Sequence, residues 1–187
     1  MPRHYQAADA LPVKVPRNVG GLTPVTPARV RRLRENLVKA MRDARAVHQT
    51  ISPYPPTPAG FAARVARAAC SLCKGWCCRN GGDDAFLDDQ TMARVRNDMP
   101  ELDARALLRL YLARVPALAY EGSCIFHGSK GCTLERSLRS DLCNSYFCRG
   151  LGGYLKSRET GTPIRVFAGE GDKMRTSPIK GSARGPA

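Results

Sequence analysis

The stretch Cys70-Ser-Leu-Cys-Lys-Gly-Trp-Cys-Cys78 places four thiols in nine residues, spaced Cys-x-x-Cys-x-x-x-Cys-Cys. A cysteine that only fills a core behaves as a small hydrophobe and has no reason to cluster, so this density points to metal or redox chemistry. The other four, Cys124, Cys132, Cys143 and Cys148, fall in a second window, and the rest of the chain has none. Thiolates suit zinc and iron–sulfur clusters best among biological centres. All eight cysteines are therefore candidate metal ligands, and the fold is expected to assemble around them. Cys70 and Cys73 make a knuckle whose sulfurs can converge on one metal. The neighbours Cys77 and Cys78 point apart and read as serving different roles or different metals. Two closed four-thiolate zinc sites satisfy the count, and so does one cluster or polynuclear centre with some thiols in support. The two-residue gap precedes the three-residue gap, which is not the radical-enzyme order, and no radical mechanism is read from it.

No apolar run approaches the ~20 residues of a membrane span. The first ten residues, Met-Pro-Arg-His-Tyr-Gln-Ala-Ala-Asp-Ala, lack the apolar core of a secretory signal. The expectation is a cytoplasmic protein whose thiols stay reduced and bind metal, rather than a secreted domain stapled by disulfides. A length of 187 residues favours one domain with one core.

The net charge of +14 is unevenly placed. Residues 1–67 carry 12 Lys and Arg against 3 acids, residues 68–150 carry 11 against 10, and residues 151–187 carry 7 against 3. A nearly neutral cysteine region is thus flanked by basic ends, which suit an acidic protein or nucleic acid as partner. Equally, they read as plain solvated surface. No recognition helix, aromatic RNA-binding motif or zinc-finger His pair accompanies the charge.

Along the chain, prolines at 2, 12, 16, 24 and 27 and the pair Gly20-Gly21 predict a disordered basic arm over 1–27. Residues 28–60 read as a basic amphipathic helix and a Pro-rich linker. Thr26 caps the helix, Pro27 opens it, and Val30, Leu33, Leu37, Met41 and Ala44 form its apolar stripe. The cysteine-cluster domain is expected over 61–153. It starts with a short helical segment, Phe61–Ala69, and a turn follows at 79–84. A helix capped by Asp88 or Asp89 and another from Glu101 to Val115 come next, then a short strand at Ala117–Tyr120. Gly128 and Gly131 mark a tight turn that presents paired ligands on short strands. Residues 154–187 predict a disordered basic tail. The fold class expected is mainly α, a small metal-stabilised domain with short irregular or β segments around the cysteines and disordered basic ends.

His127, three residues after Cys124, reads as a surface or supporting histidine more readily than as a nitrogen ligand, given eight thiols. Trp76 reads as apolar shielding. Asp83-Asp84 and Asp88-Asp89 read as turn and cap residues. No nucleotide loop, Ser/His/Asp set or paired-carboxylate pattern stands out, so no catalytic residue is assigned.

The first block, together with Cys124-Ile-Phe-His, Gly131-Cys-Thr-Leu, Cys143-Asn and Phe147-Cys148, resembles the YkgJ-type cysteine-cluster family over about residues 70–150. The resemblance implies a zinc- or iron-chelating domain with eight characteristic cysteines and an unassigned biochemical role. It also admits an iron–sulfur redox or methyl-transfer enzyme, since the family includes a flagellin lysine methylase. A third reading is a zinc-stabilised module that binds an acidic protein or nucleic acid through the basic ends.

Overall fold

The computed structural model describes residues 11–47, 57–157, 164–169 and 174–179. In chain order the elements are strands β1 (Leu11–Val15) and β2 (Leu22–Pro24), then helices α1 (Pro27–Asp43), α2 (Gly60–Cys73), α3 (Asp89–Asp98) and α4 (Ala104–Leu112). Strands β3 (Leu118–Tyr120), β4 (His127–Gly128) and β5 (Gly131–Cys132) follow. Helices α5 (Asp141–Ser145) and α6 (Arg149–Ser157) precede the last strands, β6 (Ile164–Ala168) and β7 (Arg175–Ile179). Helix outweighs strand, as expected of a mainly α chain. Two compact units emerge: one from Met1–Asn18, Pro56–Trp76 and Phe147–Ala187, the other from Val19–Pro55 and Cys77–Tyr146.

Within the described residues the first unit corrects part of the expectation of disordered ends at 1–27 and 154–187, because Leu11–Val15, Ile164–Ala168 and Arg175–Ile179 are strands and α6 runs to Ser157. Its three-stranded sheet has the order β1-β6-β7, with β1 parallel to β6 and β7 antiparallel to it. Val13, Val15, Ile164, Val166, Ala168 and Ile179 are buried with Val65, Ala66 and Ala69 of α2 and Leu151 of α6. The alternation that marks a half-buried strand is present, but it is spread over segments some 150 residues apart, where no local pattern reveals the pairing. Pro12 and Pro178 sit in the outer strands, where a missing N–H is tolerated. Helix α6 approaches β1 closely: a Cβ on Gly150 would lie 1.7 Å from the Lys14 carbonyl oxygen. The parts of the basic ends at 1–10, 158–163, 170–173 and 180–187, and the Pro-rich linker at 48–56, lie outside the described residues.

The second unit is helical around the cysteines. Thr26 caps α1 through its hydroxyl and Pro27 opens the helix, as the sequence indicates. Helix α1 buries Leu33, Leu37, Ala40 and Met41 against Met92 and Val95 of α3, Leu107 and Tyr111 of α4, and Ile125 and Phe126. Asp88 caps α3 by accepting from the Thr91 N–H at 2.8 Å. Helix α4 begins later than Glu101, because Asp103 takes the cap and accepts from the Ala106 N–H at 2.6 Å. Strand β3 pairs with β2, another strand within the arm expected to be irregular. Strands β4 and β5 form the short hairpin expected at the glycines, with His127 opposite Cys132 and Gly128 opposite Gly131.

Candidate metal centre

The structure sorts the thiols differently from the sequence. Cys70, Cys73 and Cys148 belong to the first unit, whereas Cys77, Cys78, Cys124, Cys132 and Cys143 belong to the second. No disulfide links any of the eight. In the first unit, α2 runs further than expected and carries Cys70 and Cys73 one turn apart at its end. The Cys73 sulfur accepts from the Trp76 N–H at 3.3 Å, and Cys148 borders the same apolar cluster as Cys73. Trp76 is itself exposed, which departs from a purely shielding role.

In the second unit five thiols come from four separate pieces of chain. The Cys124 N–H donates to the Cys78 carbonyl at 2.8 Å, and the Ile125 N–H donates to the Gly82 carbonyl at 2.8 Å. These bonds hold the end of the first sequence block against the start of the second. Gly81 makes the contact sterically open, since a Cβ there would lie 2.9 Å from the Cys124 Cβ. Cys132 arrives on the β4–β5 hairpin, and Cys143 on α5, whose Ser140 cap accepts from the Cys143 N–H at 3.1 Å. Among the described residues, no three His, Cys, Asp or Glu side chains already stand together as a group able to hold a metal ion.

The thiols nonetheless feel one another. A hydrogen bond from Cys78 holds the exposed Cys77 thiol down at about 6, while that same bond, burial, and the nearby Cys77, Cys124 and Cys132 sulfurs push Cys78 up. Burial raises Cys124 to about 12, with Cys132 and Cys143 adding to the rise and the Arg29 guanidinium opposing it. Cys143, exposed as a residue, is raised by the desolvation of its sulfur, with smaller contributions from Cys132 and Cys77. Concentrating thiols that resist ionising alone suits a bound cation, because a metal bears the charge that deprotonation creates. Cys78 thus feels Cys124 and Cys132, and Cys124 feels Cys132 and Cys143, and thiolates of this kind are the donors a thiophilic metal prefers.

Two groups near these thiols have surroundings that the sequence reading does not foresee. Arg29 of α1 donates to Asp83 and, at 2.6 Å, to the Ser123 carbonyl beside Cys124; Arg32 joins Asp83 at 2.6 Å. Asp83 is therefore more than a turn residue, and only its place after the Gly81-Gly82 pair hinted at a fixed loop. His127, expected at the surface or in support, is 1% exposed. Burial pushes its imidazole below the ordinary range.

No family model matches the chain, and neither a curated protein nor a solved structure matches it. No helix among the described residues is long and apolar enough to cross a membrane.

Proposed function

We propose that the chain is a cytoplasmic metal-binding protein of the YkgJ type, with its main centre in the second unit. Cys78, Cys124, Cys132 and Cys143 hold zinc or an iron–sulfur centre there, and Cys77 stands beside them as an exposed, acidic thiol. Cys70, Cys73 and Cys148 form a separate thiol set in the first unit. The observation that supports this reading is the meeting of the Cys78 and Cys124 segments, held by the backbone bonds between 78–82 and 124–125, with the Cys132 and Cys143 sulfurs near enough to raise the Cys124 thiol. When bound, zinc in an all-thiolate site supplies folding energy, of order 10 kcal/mol, whereas an iron–sulfur centre also supplies electron transfer. The protein's own part is to bring the Cys78 and Cys124 segments together and to exclude water from Cys124.

Oxygen-free purification followed by metal analysis and an absorption spectrum tests the proposal. Stoichiometric zinc without a visible band assigns a structural centre, and iron with acid-labile sulfide assigns redox chemistry. Protein that carries neither, and takes up neither when offered, contradicts the proposal.

A second reading rests on α1. Arg31, Arg34 and Arg45 lie exposed along or just beyond this helix, around the exposed Val38. That face suits an acidic protein or nucleic acid, and binding that weakens steeply with salt is its signature.

A further inference from the structure

The two units share the charge unequally. The first carries 14 Lys and Arg against 4 acids and the second 16 against 12, although the first holds fewer than half of the residues. Within the first unit the three-stranded sheet turns one face to α2 and α6, through Val13, Val15, Ile164, Val166, Ala168 and Ile179. Successive side chains of a strand alternate between faces, so the residues between these form the opposite face. The register sets them in two rows, Pro12–Arg165–Pro178 and Lys14–Phe167–Thr176.

Phe167 lies on the middle strand of that face, partly exposed and outside the apolar cluster. The exposed Lys14 is its neighbour across about 4.8 Å of sheet, and Arg165 precedes it by two residues on the same strand, about 7 Å away. Among the described residues neither cation has an ion-pair or side-chain hydrogen-bond partner. A flat ring flanked by unpaired cations suits an unpaired nucleotide: the base stacks on the ring, and the cations meet the backbone on either side. A duplex keeps its base faces stacked and cannot offer one to the ring. An acidic peptide would satisfy the cations and leave the ring unused.

We propose that this face of the sheet binds single-stranded nucleic acid, with Phe167 stacking on a base and Lys14 and Arg165 meeting the flanking phosphates. The site is separate from the thiols and from α1, and it does not depend on a bound metal.

Fluorescence anisotropy of the full-length protein with labelled oligouridylate, oligothymidylate and a duplex of equal length tests it. The single strands should bind more tightly than the duplex. Binding of either one supports the proposal, and the tighter of the two names the sugar it prefers. Phe167→Leu keeps apolar bulk but removes the flat ring; it should weaken single-strand binding by about 5- to 150-fold with an unchanged salt dependence, and Phe167→Tyr should restore it. Lys14→Gln and Arg165→Gln should each reduce the slope of log affinity against log salt by about 0.7. Single-strand binding that survives Phe167→Leu in a folded protein belongs to another cationic face, such as that of α1, and overturns the assignment. So does equal affinity for the duplex, or displacement of the oligomers by oligoglutamate at equal charge concentration. If Phe167→Leu fails to fold, the exposed Lys14 decides, and an unchanged salt slope in Lys14→Gln overturns the proposal. Wild-type protein that binds neither single strand near physiological salt overturns it as well.

Discussion

Replacing Arg94 by Met should cost the second unit about 3–5 kcal/mol. Arg94 projects from α3, and its side chain is only 2% exposed. Its guanidinium donates to the Ser137 carbonyl at 2.9 Å, to the Arg139 carbonyl at 2.7 Å and to the Asp141 carboxylate at 2.7 Å. These three bonds fix the turn that leads into α5 and Cys143. Hydrogen bonds involving a charged group contribute about 1.5–3 kcal/mol each, and removing one side of a buried ionic network costs about 3–5 kcal/mol. The Asp141 side chain is 45% exposed, so water screens its ion pair to about 1 kcal/mol or less. The two carbonyls, which Met cannot serve, therefore carry most of the loss. For a chain of this size the penalty lowers the melting temperature by about 6–20 °C. Urea titrations of Arg94→Met and Asp141→Asn in the metal-free protein provide the assay. An Arg94→Met protein no less stable than Asp141→Asn would refute the reasoning, since it would show that the buried carbonyls do not need the guanidinium.

Gly150→Ala should destabilise the first unit by several kcal/mol, because the added methyl would strike the Lys14 carbonyl oxygen. Gly153→Ala, with nothing within 4 Å, should instead stabilise α6 by about 0.5–1 kcal/mol; thermal melts of the two variants decide. In the metal-free protein Cys77 should be the fastest thiol to alkylate near neutral pH, with a rate that rises through about pH 6; a midpoint at the ordinary thiol value contradicts the hydrogen bond from Cys78. His127 has a depressed basicity when folded, so the unfolded chain binds the extra proton first as the pH falls below about 6.5. Metal-free wild type should then lose stability on acidification relative to His127→Gln, and parallel pH profiles would exclude it. Deleting residues 164–187 removes β6 and β7 and bares the buried faces of β1 and α2, so the truncated chain should be protease-sensitive in its first unit. Equal protease resistance of the two forms would mean that these strands do not support it.

The sequence showed its helices better than its strands for a physical reason. The α1 stripe, its Thr26 cap and the Asp88 cap are signals contained within one or two turns, and the structure keeps them. The pairing of β1 with β6 depends on contacts between opposite ends of the chain, and Pro12 and Pro178 disguise strands that lie at sheet edges. In α6, Gly150, Gly152 and Gly153 hide a helix whose place is set by packing on β1. At the thiols, composition pointed to all eight candidates but not to their grouping. Spacing joins Cys70 and Cys73 to Cys77 and Cys78, whereas the chain assigns the two pairs to different units just after α2 ends at a left-handed Lys74. The Arg29–Asp83 anchor and the orphaned His127 nitrogen arise from tertiary contacts that no motif records.

The central claim is that thiols from distant segments share one metal in the second unit, and alkylation protection at Cys143 tests it most directly. Cys143 is exposed, so burial alone leaves it open to a small alkylating reagent. Mass spectrometry of the full-length protein, alkylated with and without one equivalent of zinc, follows this residue individually. The account predicts that zinc slows modification of Cys143 at least tenfold and that Cys124→Ser abolishes the protection. Modification of Cys143 at the same rate in zinc-bound and zinc-free protein would contradict it.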